Sequence, residues 1–123
     1  MSKAYREIRD LMANNLRRKV CVAFSYPTAT QAAIRPYVAE HLRYMADHED
    51  EILLSGPIVK DGELVGEAMT VFQHPSEVKA AEFMRSEPLI RRSLRRFEVK
   101  TWELREGTLN FMARLSESKF VLE

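Results

Sequence analysis

The feature that most constrains this chain is a change of hydrophobic period that occurs twice at nearly the same spacing. Over residues 20–26 large side chains stand at Val20, Val22, Phe24 and Tyr26 and small ones at Cys21, Ala23 and Ser25. A period of two belongs to a strand, whose successive side chains point to opposite faces. After Pro27 and Thr28 the period lengthens, and Ile34, Val38, His41, Leu42 and Met45 recur at steps of three and four. That spacing predicts a helix over about residues 30–46, with Pro36 near its first turn. Apolar residues 52–54 and 58–59 flank Ser55, Gly56 and Pro57, expected as a turn. Lys60, Asp61, Gly62 and Glu63 form a hairpin signal that sends the chain back through residues 64–72. Pro75, Ser76 and Glu77 open a second helix through Ala80, Ala81, Phe83 and Met84. Glu87 and Pro88 end it, because a residue before proline is driven out of the helical region. Residues 97–104 alternate again, with Trp102 and Thr101 on opposite faces.

Residues 20–59 and 64–104 are therefore two strand–helix–strand halves of 40 and 41 residues. Two such halves predict an α+β, ferredoxin-like βαββαβ fold, a four-stranded antiparallel sheet with both helices on one face. Strands this apolar leave the second face in need of a cover, which the flanking pieces 1–16 and 108–123 could supply in part and two sheets packed face to face in a homodimer more completely. Tyr5, Ile8, Leu11, Met12 and Leu16 mark an additional amphipathic N-terminal helix, expected to pack across a core. The expected organisation is a helical extension at 1–17, the α+β domain at 18–106 and a C-terminal extension at 107–123.

Composition removes several classes of function. With 46% hydrophobic and 30% charged residues in 123, the chain can bury a core and is not disordered. Its longest apolar run, residues 20–24, is far short of the roughly 20 residues of a membrane helix. The first ten residues interleave charges and present no secretory signal. One cysteine, Cys21, excludes an intrachain disulfide or a Cys-rich metal site and suits a reducing, cytoplasmic setting. Residues 1–60 carry nine Lys/Arg against seven Asp/Glu and residues 61–123 ten against eleven, so general nucleic-acid affinity is not expected. The four glycines and three histidines fit no dinucleotide, P-loop, nucleophile-elbow or zincin motif.

Among chemistry-bearing residues His41 stands out, since it lies on the apolar stripe of the first predicted helix. An imidazole there titrates near neutrality and is tuned by any carboxylate beside it. Spacing alone leaves two readings open, a core histidine hydrogen-bonded to a carbonyl and a catalytic one. Asp47, His48, Glu49, Asp50 and Glu51 read as a solvated helix end, and no metal is expected. Arg91, Arg92, Arg95 and Arg96 read as one face of a short helix, solvated or at an interface, with an anionic substrate as the second choice. Cys21 reads as packing and His74 as part of a helix entrance.

Several of these residues together resemble the YCII-related (YciI-like) family. They are His41, Leu42 and Met45, the strand into Gly56 and Pro57, Asp61, Gly62 and Gly66, then Pro75 to Glu77, Glu87, Pro88 and Trp102. The resemblance covers about residues 18–106. It implies a dimeric α+β barrel and a cleft where a helix histidine faces an acid. Most of that family has no assigned function, though some members resemble dehydrochlorinases of chlorinated hydroxyhydroquinones, and the wider fold resembles muconolactone isomerases. Carried over, the histidine is His41 and the acid is Glu87, one methylene longer than the family's Asp. His41 is then a general acid/base oriented by Glu87, with Ser55, Gly56 and Pro57 binding a small cyclic or aromatic substrate and no cofactor. The other reading is a non-catalytic small-ligand-binding or interaction module.

Overall fold

The computed structural model describes residues 2–12, 18–108, 111–114 and 119–122, with only the backbone described for residue 12 and beyond residue 108. The chain divides into two compact units, one of residues 19–102 and one formed by residues 1–18 with 103–123. In the smaller unit helix α1 spans Lys3–Met12, and its apolar residues Tyr5, Ile8 and Leu11 are exposed. Among the described residues that stripe is therefore not buried as expected.

The larger unit starts with strand β1 (Arg18–Pro27). Helix α2 (Gln31–Ile34) follows, capped by the Thr30 hydroxyl, which accepts from the Ala33 N–H at 3.2 Å. A 3-10 turn at Arg35–Tyr37 then leads into helix α3 (Val38–Asp47). Pro36 accounts for the interruption. The helical stretch begins at Gln31, where expected, so Pro36 lies past its first turn and not within it, and has no N–H for the Ala32 carbonyl. The inward stripe also differs from the expected one: Leu42 is 60% exposed, whereas Tyr44 and Met45 pack on the core.

Strand β2 (Ile52–Lys60) and strand β3 (Glu63–Phe72) form a hairpin closed by Asp61 and Gly62. Both loop residues have positive φ, 52° and 80°, as a two-residue type I′ turn requires. Contrary to the expected turn, Ser55, Gly56 and Pro57 lie inside β2, opposite Thr70, Met69 and Ala68, with the register slipping between Pro57 and Val59. A strand tolerates proline there because β2 is an edge of the sheet. Helix α4 (Glu77–Ser86) starts at a Ser76 cap and is followed by the short helix α5 (Pro88–Arg91) and strand β4 (Arg95–Leu104). The arginines thus do not share one helix. Ser93, at φ 60°, turns the chain after Arg92, and Arg95 and Arg96 belong to the strand.

The sheet order is β2-β3-β1-β4, with β1 pairing β3 and β2 pairing β3 antiparallel. This is the ferredoxin-like βαββαβ arrangement. Cys21, Ala23, Ile52 and Phe72 from the sheet and Ala80, Phe83 and Met84 from α4 form one buried cluster, against which Tyr44, Met45, Phe97 and Val99 pack. The small residues of β1 therefore face the helices, and Val20, Val22 and Phe24 the other side, where Lys100 lies over the Phe24 ring. Beyond residue 108, strands β5 (Phe111–Arg114) and β6 (Lys119–Leu122) pair antiparallel, an element not anticipated from the sequence. Among the described residues no helix is long and apolar enough to cross a membrane.

Candidate functional site

On its helix-facing side the sheet turns polar at one end. Along β1 the inward positions run Cys21, Ala23, Ser25, and the register sets Ala23 opposite Thr70 and Ser25 opposite Ala68. Arg95 has the same alternation as Phe97 and Val99, so it too points to the helix side. Helix α3 contributes His41, and the junction of α4 and α5 contributes Glu87.

His41 Nδ1 and Glu87 Oε1 are 2.5 Å apart. Glu87 is 2% exposed, whereas the His41 side chain is 28% exposed. The carboxylate is further satisfied by its own chain. Pro88 at the first position of α5 leaves Glu87 extended (φ −64°, ψ 131°), so its side chain folds over the helix start and accepts the Leu89 N–H on Oε1 at 3.0 Å and the Ile90 N–H on Oε2 at 3.2 Å. Burial opposes ionisation of Glu87, yet the hydrogen bonds from His41, Leu89 and Ile90, with the charge of His41, hold its pKa below the usual carboxylate value. A carboxylate accepts only, so Nδ1 donates. That leaves Nε2 of the neutral ring as the basic nitrogen, and it has no hydrogen bond among the described residues.

Glu40, one residue before His41, ties the same helices at the surface, accepting from Arg91 at 2.9 Å and Arg92 at 3.1 Å. Two of the arginines read as a solvated face are thereby paired, and the guanidinium of Arg92 also lies over the Tyr37 ring. Arg95 is different. Its Nε donates to Ser25 Oγ at 2.7 Å, and its Nη2 donates to the carbonyls of Ser25 at 2.9 Å and Gly66 at 2.5 Å. Burial lowers its pKa, and the Glu87 charge works in the opposite direction. From the sequence Arg95 reads only as one of the arginines of a shared helix face, with an anionic substrate as the second choice, and is not separated from the others. The available signal was its place two residues before Phe97, which puts a charge on the buried face of a strand.

Ser55 lies on the helix side of β2, its hydroxyl 2.8 Å from that of Thr70. Pro57, opposite Ala68, shares that side, whereas Gly56 pairs with Met69 on the other. Among the described residues no hydrogen bond or ion pair joins these three to His41 or Glu87. Tyr44, one turn beyond His41, is not a competing acid or base. Its hydroxyl donates to the Phe83 carbonyl at 2.8 Å, and burial with the charges of Glu51 and Glu87 pushes its pKa up to about 12. His48 donates from Nδ1 to the Tyr44 carbonyl and stacks on the Tyr44 ring. An open depression of about 280 Å³ there is lined by Tyr44, His48, Glu51, Lys79 and Phe83 among others, and by neither member of the pair. Cys21 is fully buried, and burial together with the Glu77 charge pushes its thiol up, which suits packing and not reactivity. His74 accepts the Ser76 N–H within the entrance to α4. Among the described residues no three metal-binding side chains are gathered.

The class of protein defined here is a ferredoxin-like α+β sheet with a histidine–carboxylate pair on its helix side. Among solved structures the same fold occurs in 5-chloro-2-hydroxyhydroquinone dehydrochlorinase (TftG) from Burkholderia phenoliruptrix AC1100, determined in complex with 2,5-dihydroxybenzoquinone. The two share 17% identity and a TM-score of 0.51, covering 66% of this chain and 92% of that one, a likeness of fold alone. No family model matches this chain, and no curated protein matches it significantly.

Because the folded state holds the Glu87 pKa below its unfolded value of about 4.3, the carboxylate contributes stability that is fully present above that value and lost as pH falls through the folded one. Glu87→Gln, which sets an NH₂ group against donors, is expected to lose about 1–3 kcal/mol at pH 7. That deficit should shrink toward pH 3, as read by urea unfolding of both proteins. An equal deficit at both pH values would mean that the charge on Glu87 is not what stabilises the fold.

Proposed function

We propose that this chain is a YCII-related acid–base enzyme of dehydrochlorinase- or isomerase-like chemistry acting on a small cyclic or aromatic metabolite. The observation that carries this reading is the 2.5 Å contact between a part-exposed imidazole and a buried, ionised carboxylate. Glu87 fixes the tautomer and orientation of the ring, so that Nε2 takes a proton from an acidic O–H or C–H of the substrate and returns it. Ser55 and Pro57 are assigned to the substrate side of β2, with Gly56 between them. The dehydrochlorinase with the same fold was solved with a dihydroxyquinone, a ligand of the class proposed. The cytoplasm, suited to the single buried thiol, is the proposed location.

One observation favours the non-catalytic alternative: Glu87 already accepts two backbone N–H groups, a role it would have with no substrate at all. The readings part on turnover. A panel of chlorinated hydroquinones and lactones is expected to yield a substrate whose turnover falls by at least about 100-fold in His41→Ala, in keeping with the loss of a general acid/base. Binding with no turnover in either protein would instead identify a ligand-binding module.

The same proposal includes a homodimer with its sheets face to face. Leu54 and Trp102, on the side away from the helices, are each 47% exposed. Sedimentation at micromolar concentration should give twice the chain mass. A single chain mass would leave that side without its proposed cover.

A further inference from the structure

Arg95 has more hydrogen-bonding capacity than the fold uses. A guanidinium carries five N–H groups. The Nε proton goes to Ser25 Oγ and the two Nη2 protons go to the Ser25 and Gly66 carbonyls. Those three acceptors belong to β1 and β3, so the side chain reaches from β4 across the neighbouring strand and is fixed in one orientation. Among the described residues neither Nη1 proton has an acceptor. No buried side-chain nitrogen or oxygen among the described residues lacks a partner, so Nη1 is open to solvent. The head group points to the helix side of the sheet, as its alternation with Phe97 and Val99 requires, and the charge of Glu87, the partner of His41, acts on it.

A fixed, partly buried cation with two unused donors is a recognition element for an oxyanion, since desolvated Arg binds delocalised negative oxygen more strongly than neutral oxygen. Its Coulomb partner in the fold, Glu87, is already engaged by His41, Leu89 and Ile90. We infer that Arg95 is the substrate-binding residue of this site and that its Nη1 edge selects ligands ionised at a ring oxygen, phenolates or enolates, over their neutral counterparts. This inference rests on the proposed function and deepens it. A base at Nε2 removes a proton from one position of a cyclic substrate, and the negative charge left on a conjugated oxygen needs a counter-charge, which Arg95 provides without moving.

The probes are 2,5-dihydroxybenzoquinone, whose hydroxyls are vinylogous acids and ionise at neutral pH, and uncharged 2,5-dimethoxybenzoquinone. Calorimetric titration of the wild type at pH 7 is expected to show at least a tenfold preference for the ionised probe. Arg95→Gln should abolish that preference by weakening the ionised probe at least tenfold, with the dimethoxy compound unchanged. In the wild type, the ionised probe alone should shift the NMR signals of the Arg95 guanidinium, a readout that holds even if the variant unfolds. Equal affinity for the two probes, no binding of either, or an unmoved Arg95 signal in the bound state overturns the inference. An Arg95-dependent preference in a protein that turns over no substrate keeps the inference and overturns the enzyme. Turnover that needs His41, with binding indifferent to Arg95→Gln, does the reverse.

Discussion

The arrangement on the helix side of the sheet depends on one buried carboxylate. Glu87 sits where α4 ends and α5 begins, and an uncompensated charge there would be costly. Its oxygens are met by two backbone N–H groups of α5 and by the imidazole of α3. Each partner does something different. The backbone bonds hold α5 against the end of α4, and the imidazole joins that junction to the other long helix. The outer ion pairs of Glu40 with Arg91 and Arg92 run along the same seam, but in water such pairs contribute little. Holding α3 by the inner contact also fixes the His41 ring, with one nitrogen committed to Glu87 and the other left for chemistry.

The same end of the sheet combines opposite charges in a graded way. Glu87 is buried and satisfied, His41 is part-exposed with one nitrogen in use, and Arg95 is anchored by three acceptors with one edge spare. Toward the middle of the sheet the surroundings become largely apolar, with Ala23, Phe72, Ala80 and Phe83 buried. A ligand at this end would therefore meet fixed polar groups beside an apolar floor, the composition of most small-molecule sites.

The fold was legible because it is written in local period. Val20, Val22 and Phe24 set the phase of β1, and Asp61 with Gly62 set the hairpin and hence the register of β2 on β3. Errors arose where tertiary context overrode a local signal. Gly56 and Pro57 look like a turn, but at a sheet edge they only disturb the pairing. Leu42 looks like core by spacing, but the break at Pro36 and the demands of Tyr44 and Met45 rotate α3 so that Leu42 faces water. Within the site, nothing in spacing links His41 to Glu87, 46 residues away. Only the resemblance to a known family proposed that pair. Arg95 reads in the sequence only as one of a cluster of arginines, because its acceptors lie 70 and 29 residues away on two other strands, a reach that no local pattern encodes.

The central claim is that Glu87 dictates the state of the His41 ring. Nitrogen-15 NMR of the imidazole, recorded above the pH at which the ring loses its charge, reads that state directly. With the carboxylate accepting from Nδ1, the neutral ring should be the Nδ1–H tautomer, with Nε2 showing the shift of an unprotonated, basic nitrogen. A ring found as the Nε2–H tautomer would contradict the account, because Nδ1 would then bear no proton for Glu87 and Nε2 would have none of the basicity assigned to it.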